Sequence, residues 1–171
     1  MDLIVAAKAG ETRGTAQLGG TAYPCALGRS GILDPKREGD GGTPAGRFPL
    51  RRLLYRADRV AHIETGLPAR HITPDDGWCD DPADPAYNRP VVLPYKGRHE
   101  RLWLESPLYD LVVIIGHNDA PVMPGAGSAV FLHVASADLG PTEGCVAFRR
   151  EDLIAILGRV GTGDGIAIAL G

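Results

Sequence analysis

The chain has 171 residues, about one domain, and a domain of that size buries roughly 70% of the surface that the unfolded chain exposes. Its net charge of -3 arises from an even mixture of 18 basic and 21 acidic residues, which excludes the strong positive field of a nucleic-acid or anionic-membrane binder. The three cysteines form no CxxC pair and are odd in number, so neither a disulfide framework nor a zinc ribbon is expected. We predict a single domain, residues 1–171, that acts on a small molecule or a peptide.

The N-terminal segment MDLIVAAKAG does not resemble an export signal. Asp2 stands where such a signal carries positive charge, and the apolar run from Leu3 to Ala7 is short. Elsewhere the longest apolar stretch, LVVIIG, is far below the ~20 residues of a membrane span. We therefore expect a cytoplasmic protein without membrane insertion, the alternative being the periplasm or cell envelope.

Frequent glycines and prolines, 23 and 14 residues, divide the chain into segments that are too short for long helices. The segment TAQLGGTAYPCAL predicts two strands joined by a tight turn at Gly19 and Gly20. RRLLYRADRVAHIE predicts another pair of strands with a bend near Asp58. Further on, DLVVIIG, AVFLHVA and DGIAIALG are apolar runs of strand length.

One segment, REDLIAILGRV, has helical periodicity. Its apolar residues fall on one face, two acidic residues occupy its first turn, and Gly161 follows its end. The apolar residues are Leu153, Ile156, Leu157 and Val160. We therefore predict a mainly β fold with one substantial helix.

Two long stretches, residues 28–48 and 73–92, lack periodicity, and loops of that length within a compact domain are usually functional or disordered. The second contains Trp78 and Tyr87, which is aromatic content that a disordered segment tends to lack. We expect both stretches to be ordered and to form walls of a site. Trp78 and Tyr87 then either bind a peptide or sugar, or anchor the loop in the core.

The segment FLHVASADLGPTEGCVAF places His133 twelve residues before Cys145. If AVFLHVA is a strand, His133 faces the opposite side from Leu132 and Val134, and the intervening turn can return Cys145 to the imidazole. A histidine within reach makes a cysteine nucleophilic by accepting its proton. Gly144 lets a substrate carbonyl approach the backbone, so the N–H groups of Gly144 and Cys145 are the expected oxyanion donors, each worth roughly 3 kcal/mol.

Two other interpretations of these residues remain open. Free cysteines are among the most frequently buried residues, so Cys145 can be a structural core residue. His117, His133 and Cys145 together have the donor types of a zinc site, although no closely spaced ligand pair supports one. We predict neither a metal nor another cofactor.

The segment HVASADLGPTEGCVAF resembles the active-site signature of the L,D-transpeptidase (YkuD-type) catalytic domain family. GDGGTPAGRFPL is similar to the upstream TPxGxF element of that family, and GWCDDPADPAYNR with IIGHN resembles a compact subgroup of it. The resemblance implies an L,D-transpeptidase-like β-sandwich catalytic domain in which Cys145 is the nucleophile and His133 the base. It also implies that the backbone of Gly144 and Cys145 stabilises the tetrahedral intermediate, and that Thr142 orients the loop.

The sequence departs from the family pattern at Glu143, where many members have histidine, and at Ala147, where many have arginine or asparagine. The arginine often helps to hold substrate, so its role must be taken by another residue or lost. Arg149, Arg98 and Arg89 are candidates because a guanidinium pairs bidentately with a carboxylate. We favour Arg89, beside Asn88 in the second loop.

The resemblance therefore implies an enzyme that transfers an acyl group from the bond between an L-centre and D-Ala in peptidoglycan stem peptides. With an amine as acceptor it is an L,D-transpeptidase, and with water it is an L,D-carboxypeptidase of cell-wall recycling. The alternative is a catalytically silent β domain that binds peptidoglycan fragments. Thr142, Glu143, Trp78, Tyr87, Arg89, His117 and Arg149 are the predicted substrate-binding residues, His117 because it ends a predicted strand.

Overall fold

The computed structural model describes all residues, 1–171, and confirms a mainly β fold with one α-helix. The helix α1 spans Arg150–Leu157, and a short 3-10 helix spans Pro107–Tyr109. The strands are β1 (Asp2–Ala7), β2 (Arg13–Leu18), β3 (Thr21–Ala26), β4 (Ile32–Leu33), β5 (Thr43–Pro44), β6 (Gly46–Tyr55), β7 (Ala69–His71), β8 (Asp76–Cys79), β9 (Pro90–Val92), β10 (His99–Arg101), β11 (Leu111–Ile115), β12 (Phe131–Val134), β13 (Val146–Phe148) and β14 (Gly165–Leu170). No helix has the length and apolar character needed to cross a bilayer.

Nine strands form one sheet in the order β11-β12-β13-β3-β2-β1-β14-β6-β7. An additional antiparallel pairing of β6 with β11 closes eight of these strands into a ring, and β7 remains as an edge strand paired with β6. Closure satisfies backbone hydrogen-bonding groups that an open edge would leave free. Two small sheets lie outside this closed sheet: β4-β5 in the first aperiodic stretch, and β10-β8-β9, of which β8 and β9 lie in the second stretch and β10 follows it.

Two hydrophobic cores explain the apolar runs of β11 and β12. The main core of 28 buried residues receives Leu111 and Val113 from β11 and Leu132 from β12. A second core of nine buried residues receives the alternate side chains, among them Val112 and Phe131. Strands that are buried on both faces read as continuous apolar sequence, because neither side of the strand meets water.

The predicted hairpin at Gly19 and Gly20 is confirmed. β2 and β3 pair antiparallel from Arg13 with Ala26 to Leu18 with Thr21. Both glycines have positive φ, 51° and 85°, which is the backbone conformation that a two-residue hairpin turn requires.

The pair of strands predicted around Asp58 is confirmed only in part. The first strand lies within β6, which ends at Tyr55, and residues 57–59 form a turn, but no second strand follows before β7. Arg56 is buried there, donates hydrogen bonds to both carboxylate oxygens of Asp58 at 2.8 Å, and donates another to the carbonyl of Leu104 at 2.6 Å. Asp58 is therefore an ion-pair partner for a buried arginine and does not form the tip of a hairpin.

The predicted helix is confirmed, but it ends at Leu157, before Val160, the last apolar residue of the predicted helical pattern. Leu153, Ile156 and Leu157 are buried on one face of α1, and Gly158 caps its end. Val160 is buried as expected, but it lies beyond the helix, where its carbonyl accepts a hydrogen bond from the amide of Gly66. The two aperiodic stretches are ordered, since they contain β4 and β5 in one case and β8 and β9 in the other.

Candidate active site

The pairing of β12 with β13 places His133 and Cys145 on one face of the sheet. The strands run parallel, with Leu132 opposite Val146 and His133 opposite Ala147. Cys145 directly precedes β13, so it lies opposite Phe131, and side chains two residues apart on a strand point to the same side. Cys145 and His133 consequently line one cavity of about 940 Å³, which we call the thiol cavity.

The Cys145 thiol is hydrogen-bonded to two backbone groups, and its burial keeps it protonated. Its Sγ accepts a hydrogen bond from the amide of Phe131 at 3.3 Å and donates one to the carbonyl of Ala129 at 3.3 Å. Burial, and then the negative charge of Glu100, raise the pKa of Cys145 to about 12, against a smaller lowering by the Phe131 amide. The Cys145 thiol is therefore neutral in the free protein, and it could act as a nucleophile only after losing its proton.

The His133 imidazole has the tautomer needed to take that proton. Its Nδ1 lies 2.8 Å from the carbonyl oxygen of Val134, which can only accept, so Nδ1 carries the hydrogen and Nε2 has a free lone pair. Burial lowers the pKa of His133, which keeps the ring neutral at pH 7. The ring of Tyr109 packs edge-on against the imidazole with centroids 5.3 Å apart.

Glycine is required at position 144 by both its backbone and its surroundings. Gly144 has φ of +141°, and a Cβ atom there would lie 2.8 Å from the carbonyl oxygen of Gly42. The Thr142 hydroxyl accepts a hydrogen bond from the Gly144 amide at 3.1 Å and donates one to the Cys145 carbonyl at 2.7 Å. Thr142 thus connects both ends of the turn that presents the thiol.

This arrangement alters the predicted pair of oxyanion donors. The Gly144 amide is already bonded to the Thr142 hydroxyl, whereas the Cys145 amide has no hydrogen-bond acceptor in the protein. Only the Cys145 amide is free in this structure to donate to a developing oxyanion. The sequence could not distinguish the two amides, because the difference depends on where the Thr142 side chain turns.

Most charges around the thiol cavity are compensated locally. Lys36 pairs with Asp40, Arg98 with Asp80 at 3.0 Å, and Arg29 with Glu143 at 3.0 Å. Glu143 lines the cavity, but its side chain is 82% exposed and belongs to the rim.

Two acids of the cavity, Glu38 and Glu100, have no basic partner in the protein. Glu38 accepts hydrogen bonds from the hydroxyls of Tyr87 and Ser128, and Glu100 accepts one from the Tyr109 hydroxyl. Burial raises the pKa of Glu100 to about 7. Its charge near the thiol consequently changes in the neutral pH range.

The predicted site residues separate into three groups. Cys145, His133, Gly144, Thr142 and Glu143 line the thiol cavity together. Trp78, Arg89 and His117 instead line a second pocket of about 320 Å³, which contains Arg51, Arg52, Arg70 and Arg89 and which we call the arginine pocket. Tyr87 and Arg149 line neither pocket.

The preference for Arg89 as a clamp beside the thiol is not supported by its position. Asn88 is buried and turned inward, so Arg89 is exposed and turned away from it, and its guanidinium donates to the carbonyl of Asp119 at 3.0 Å. Arg98, a weaker candidate in the sequence, does line the thiol cavity. Arg149 is exposed and lies directly before α1.

The two aromatic residues of the second loop are anchors in this structure. Trp78 belongs to the second core and packs edge-on against Phe131, with ring centroids 5.1 Å apart. Tyr87 is buried, donates its hydroxyl hydrogen to Glu38, and accepts a hydrogen bond from the Gly127 amide at 3.0 Å. Neither ring presents a face to the thiol cavity.

Asn88 is a positioning residue that the sequence analysis did not select. Its side-chain oxygen accepts hydrogen bonds from the Trp78 indole at 2.9 Å and the Ala129 amide at 3.1 Å. Its side-chain nitrogen donates to the carbonyls of His117 and Asn118 at 3.1 and 2.8 Å. Asn88 therefore fixes Ala129, whose carbonyl holds the thiol; no local sequence signal marks this long-range role.

Lys36, Glu100 and Tyr109 also line the thiol cavity and were not predicted. All three lie far from Cys145 in sequence, and the fold brings them to the same cavity. The three candidate zinc ligands do not meet in the structure. His117 lies in the arginine pocket, away from His133 and Cys145. No group of three or more His, Cys, Asp or Glu side chains in the chain is arranged to hold a metal ion.

Comparison with known families agrees with this site. The sequence matches the L,D-transpeptidase catalytic domain family, YkuD, over residues 4–168. The chain belongs to this family. The match extends across nearly all of the chain and includes both His133 and Cys145.

Among solved structures, this L,D-transpeptidase-family chain is similar to the crystal structure of Mycobacterium tuberculosis L,D-transpeptidase 1 at 1.89 Å resolution. The two share 16% sequence identity with a TM-score of 0.42, over 99% of this chain and 62% of the other. The chain thus covers less than two thirds of that protein's length. No curated protein matches the sequence.

Proposed function

We propose that this L,D-transpeptidase-family domain is a cysteine acyl-transfer enzyme that attacks the bond between an L-centre and D-Ala in peptidoglycan stem peptides. The observation that carries the proposal is the tautomer of His133. With Nδ1 bonded to Val134, Nε2 is left free in the same cavity as the Cys145 thiol. An unprotonated base and a protonated thiol on one face are the starting state that general-base activation requires.

In the first half of the reaction, Nε2 of His133 takes the proton from Cys145 Sγ while the sulfur attacks the carbonyl carbon. The carbonyl electron pair moves to oxygen, where the free Cys145 amide donates to it. The tetrahedral intermediate then collapses, the C–N bond to D-Ala breaks, and His133 returns the proton to the departing amine. A thioester between Cys145 and the remaining peptide is left.

In the second half, His133 removes a proton from the acceptor as it attacks the thioester, and the sulfur leaves and recovers that proton. An amine acceptor gives L,D-transpeptidation, whereas water gives L,D-carboxypeptidation, which serves cell-wall recycling. Thr142 supports both halves by holding the turn around Gly144 through its two hydrogen bonds.

One observation favours a second candidate, a domain that binds peptidoglycan fragments without turnover. The thiol is held by two backbone groups, and its pKa of about 12 leaves almost no thiolate in the free protein. Under the first proposal the entering substrate must release Sγ from Ala129 toward His133. Under the second, the thiol keeps both contacts when a fragment binds.

Incubation with a tetrapeptide muropeptide, followed by mass spectrometry, tests the proposal. Three parallel reactions contain water alone, a free D-amino acid, or a second stem peptide. Loss of D-Ala alone indicates hydrolysis, and an exchanged or joined product indicates transfer. If the muropeptide binds but is recovered unchanged in all three reactions, the binding-domain candidate replaces the enzyme.

A further inference from the structure

The arginine pocket lies next to the thiol cavity but has a different composition. Val130 lines both pockets, and Phe131, whose amide holds the Cys145 sulfur, contributes to the arginine pocket. Its apolar floor comes from the second core, including Trp78 and Ile114. Four arginines surround this floor, and none of them has a role in the proposed reaction.

An irregularity in β6 directs two consecutive arginines into this pocket. Ile114 of β11 pairs with Arg52, but the next residue, Ile115, pairs with Leu50, so Arg51 is an extra residue in the strand. Neighbouring side chains on a regular strand point to opposite faces, and a bulge breaks that alternation. Arg51 and Arg52 consequently both line the same pocket.

Two of the four guanidinium groups are neutralised by carboxylates. Arg51 pairs with Asp119 at 2.9 Å, and Arg70, from β7, pairs with Asp76 at 2.8 Å. Four guanidinium groups against these two carboxylates leave two positive charges uncompensated. His117 adds no charge at pH 7, because burial lowers its pKa.

The two remaining arginines, Arg52 and Arg89, have guanidinium N–H groups that donate to no acceptor in the protein. Arg52 makes no side-chain hydrogen bond within the protein, and Arg89 makes one, to the carbonyl of Asp119. By contrast, the polar groups of the pocket wall are occupied, since the Asn88 amide already bonds to four partners. The unmet hydrogen-bonding capacity of the pocket therefore lies in Arg52 and Arg89.

We propose that the arginine pocket binds a phosphate group, held between the guanidinium groups of Arg52 and Arg89. A phosphate dianion matches the two uncompensated charges, and its oxygens can accept from two guanidinium forks at once. A single carboxylate has only two oxygens, which one fork already satisfies. The volume of about 320 Å³ accommodates a phosphate together with part of a group that carries it.

Isothermal titration calorimetry with inorganic phosphate, at constant ionic strength in chloride, tests this site. We expect saturable binding with Kd on the order of millimolar or tighter and no saturable heat with acetate. Arg52→Gln and Arg89→Gln should each weaken binding roughly tenfold, because each removes hydrogen bonds to a charged ligand. Both side chains are exposed, and an unchanged thermal midpoint of each variant verifies its fold.

Arg101→Gln is the matched control, because Arg101 is exposed and lines neither pocket. It should leave phosphate binding unchanged. Methyl phosphate distinguishes two sources of the group: retained affinity indicates a phosphoryl group carried by a larger ligand, and lost affinity indicates the free ion. Absence of saturable phosphate binding, equal binding of acetate, or an Arg101→Gln effect as large as that of Arg52→Gln would overturn the proposal.

Discussion

The thiol cavity and the arginine pocket share a wall at Val130, yet they manage charge in opposite ways. Around the thiol, three acid–base pairs are formed, whereas Glu38 and Glu100 have no basic partner, and Glu100, with a pKa of about 7, is about half ionised at pH 7. In the arginine pocket, two guanidinium groups remain without a carboxylate. The unpaired groups are thus carboxylates beside the thiol and guanidinium groups in the neighbouring pocket.

The largest expected effect is that of Cys145→Ala, which should remove activity in the thiol cavity without changing ligand binding in the arginine pocket. Cys145→Ala should abolish release of D-Ala from a muropeptide, because Cys145 is the only cysteine that lines the thiol cavity and a thioester requires a thiol. Phosphate binding in the arginine pocket should be unaffected. Cys79→Ala is the matched control, since Cys79 is a buried free thiol outside both pockets and should keep activity. Turnover that survives Cys145→Ala would refute the nucleophile.

His133→Gln should lower kcat by roughly a hundred- to ten-thousandfold, the range for removal of a general base. Steady-state kinetics with a chromogenic or mass-detected stem peptide measure the change. His62→Gln, at an exposed histidine outside both pockets, serves as the control and should retain full kcat. A reduction of less than threefold for His133→Gln would remove the imidazole from the mechanism.

Glu100 gives the thiol cavity a charge that changes in the neutral pH range. Because the pKa of Glu100 is raised to about 7 from 4.5, the folded state binds this proton more tightly than the unfolded chain. Its stabilisation is complete below pH 4.5 and is lost as pH rises through 7, by at most about 3 kcal/mol. Urea unfolding of Glu100→Gln should show a smaller loss of stability across this interval.

The same substitution tests the effect of Glu100 on the thiol. Removing its negative charge should lower the pKa of Cys145, so iodoacetamide should alkylate Glu100→Gln faster than the wild type at pH 8. Glu105→Gln, at an exposed glutamate outside both pockets, should match the wild type in both measurements. Equal alkylation rates and equal stability profiles for all three proteins would contradict the assignment.

The smallest expected effect concerns the turn beside the thiol. Thr142→Ala removes the hydroxyl that bridges Gly144 and Cys145 and should destabilise the domain by about 1 kcal/mol per lost hydrogen bond. We expect a loss of roughly tenfold in kcat/KM as the free Cys145 amide loses its fixed direction. Thr142→Ser should recover most of both values, whereas equal behaviour of the two variants would assign the effect to the lost methyl group.

The sequence was sufficient for features that depend on local pattern. Alternation in AVFLHVA correctly separates His133 from Leu132 and Val134, and Gly19 with Gly20 marks a hairpin that the structure contains. The sequence was not sufficient to predict contacts between residues that are distant along the chain. Asn88, Glu100 and Tyr109 lie far from Cys145 in sequence and reach the thiol region only through the folding of the chain.

Two expectations that the structure does not support have the same physical origin. The bend near Asp58 is present, but no strand follows it, and the buried Arg56 instead ties this segment to the distant carbonyl of Leu104, a contact that local sequence does not reveal. Arg89 was favoured over Arg98 because the sequence does not show which of two neighbouring residues, Asn88 or Arg89, turns inward. In both cases a long-range polar contact decided the direction of a side chain.

Intact-protein mass spectrometry after brief exposure to a tetrapeptide muropeptide tests the central claim most directly. The account predicts a wild-type adduct equal in mass to the muropeptide minus D-Ala, located on the Cys145 peptide after digestion. The adduct should persist in Cys79→Ala and be absent in Cys145→Ala. An adduct on another residue, or release of D-Ala by Cys145→Ala, would contradict a mechanism in which Cys145 carries the acyl group.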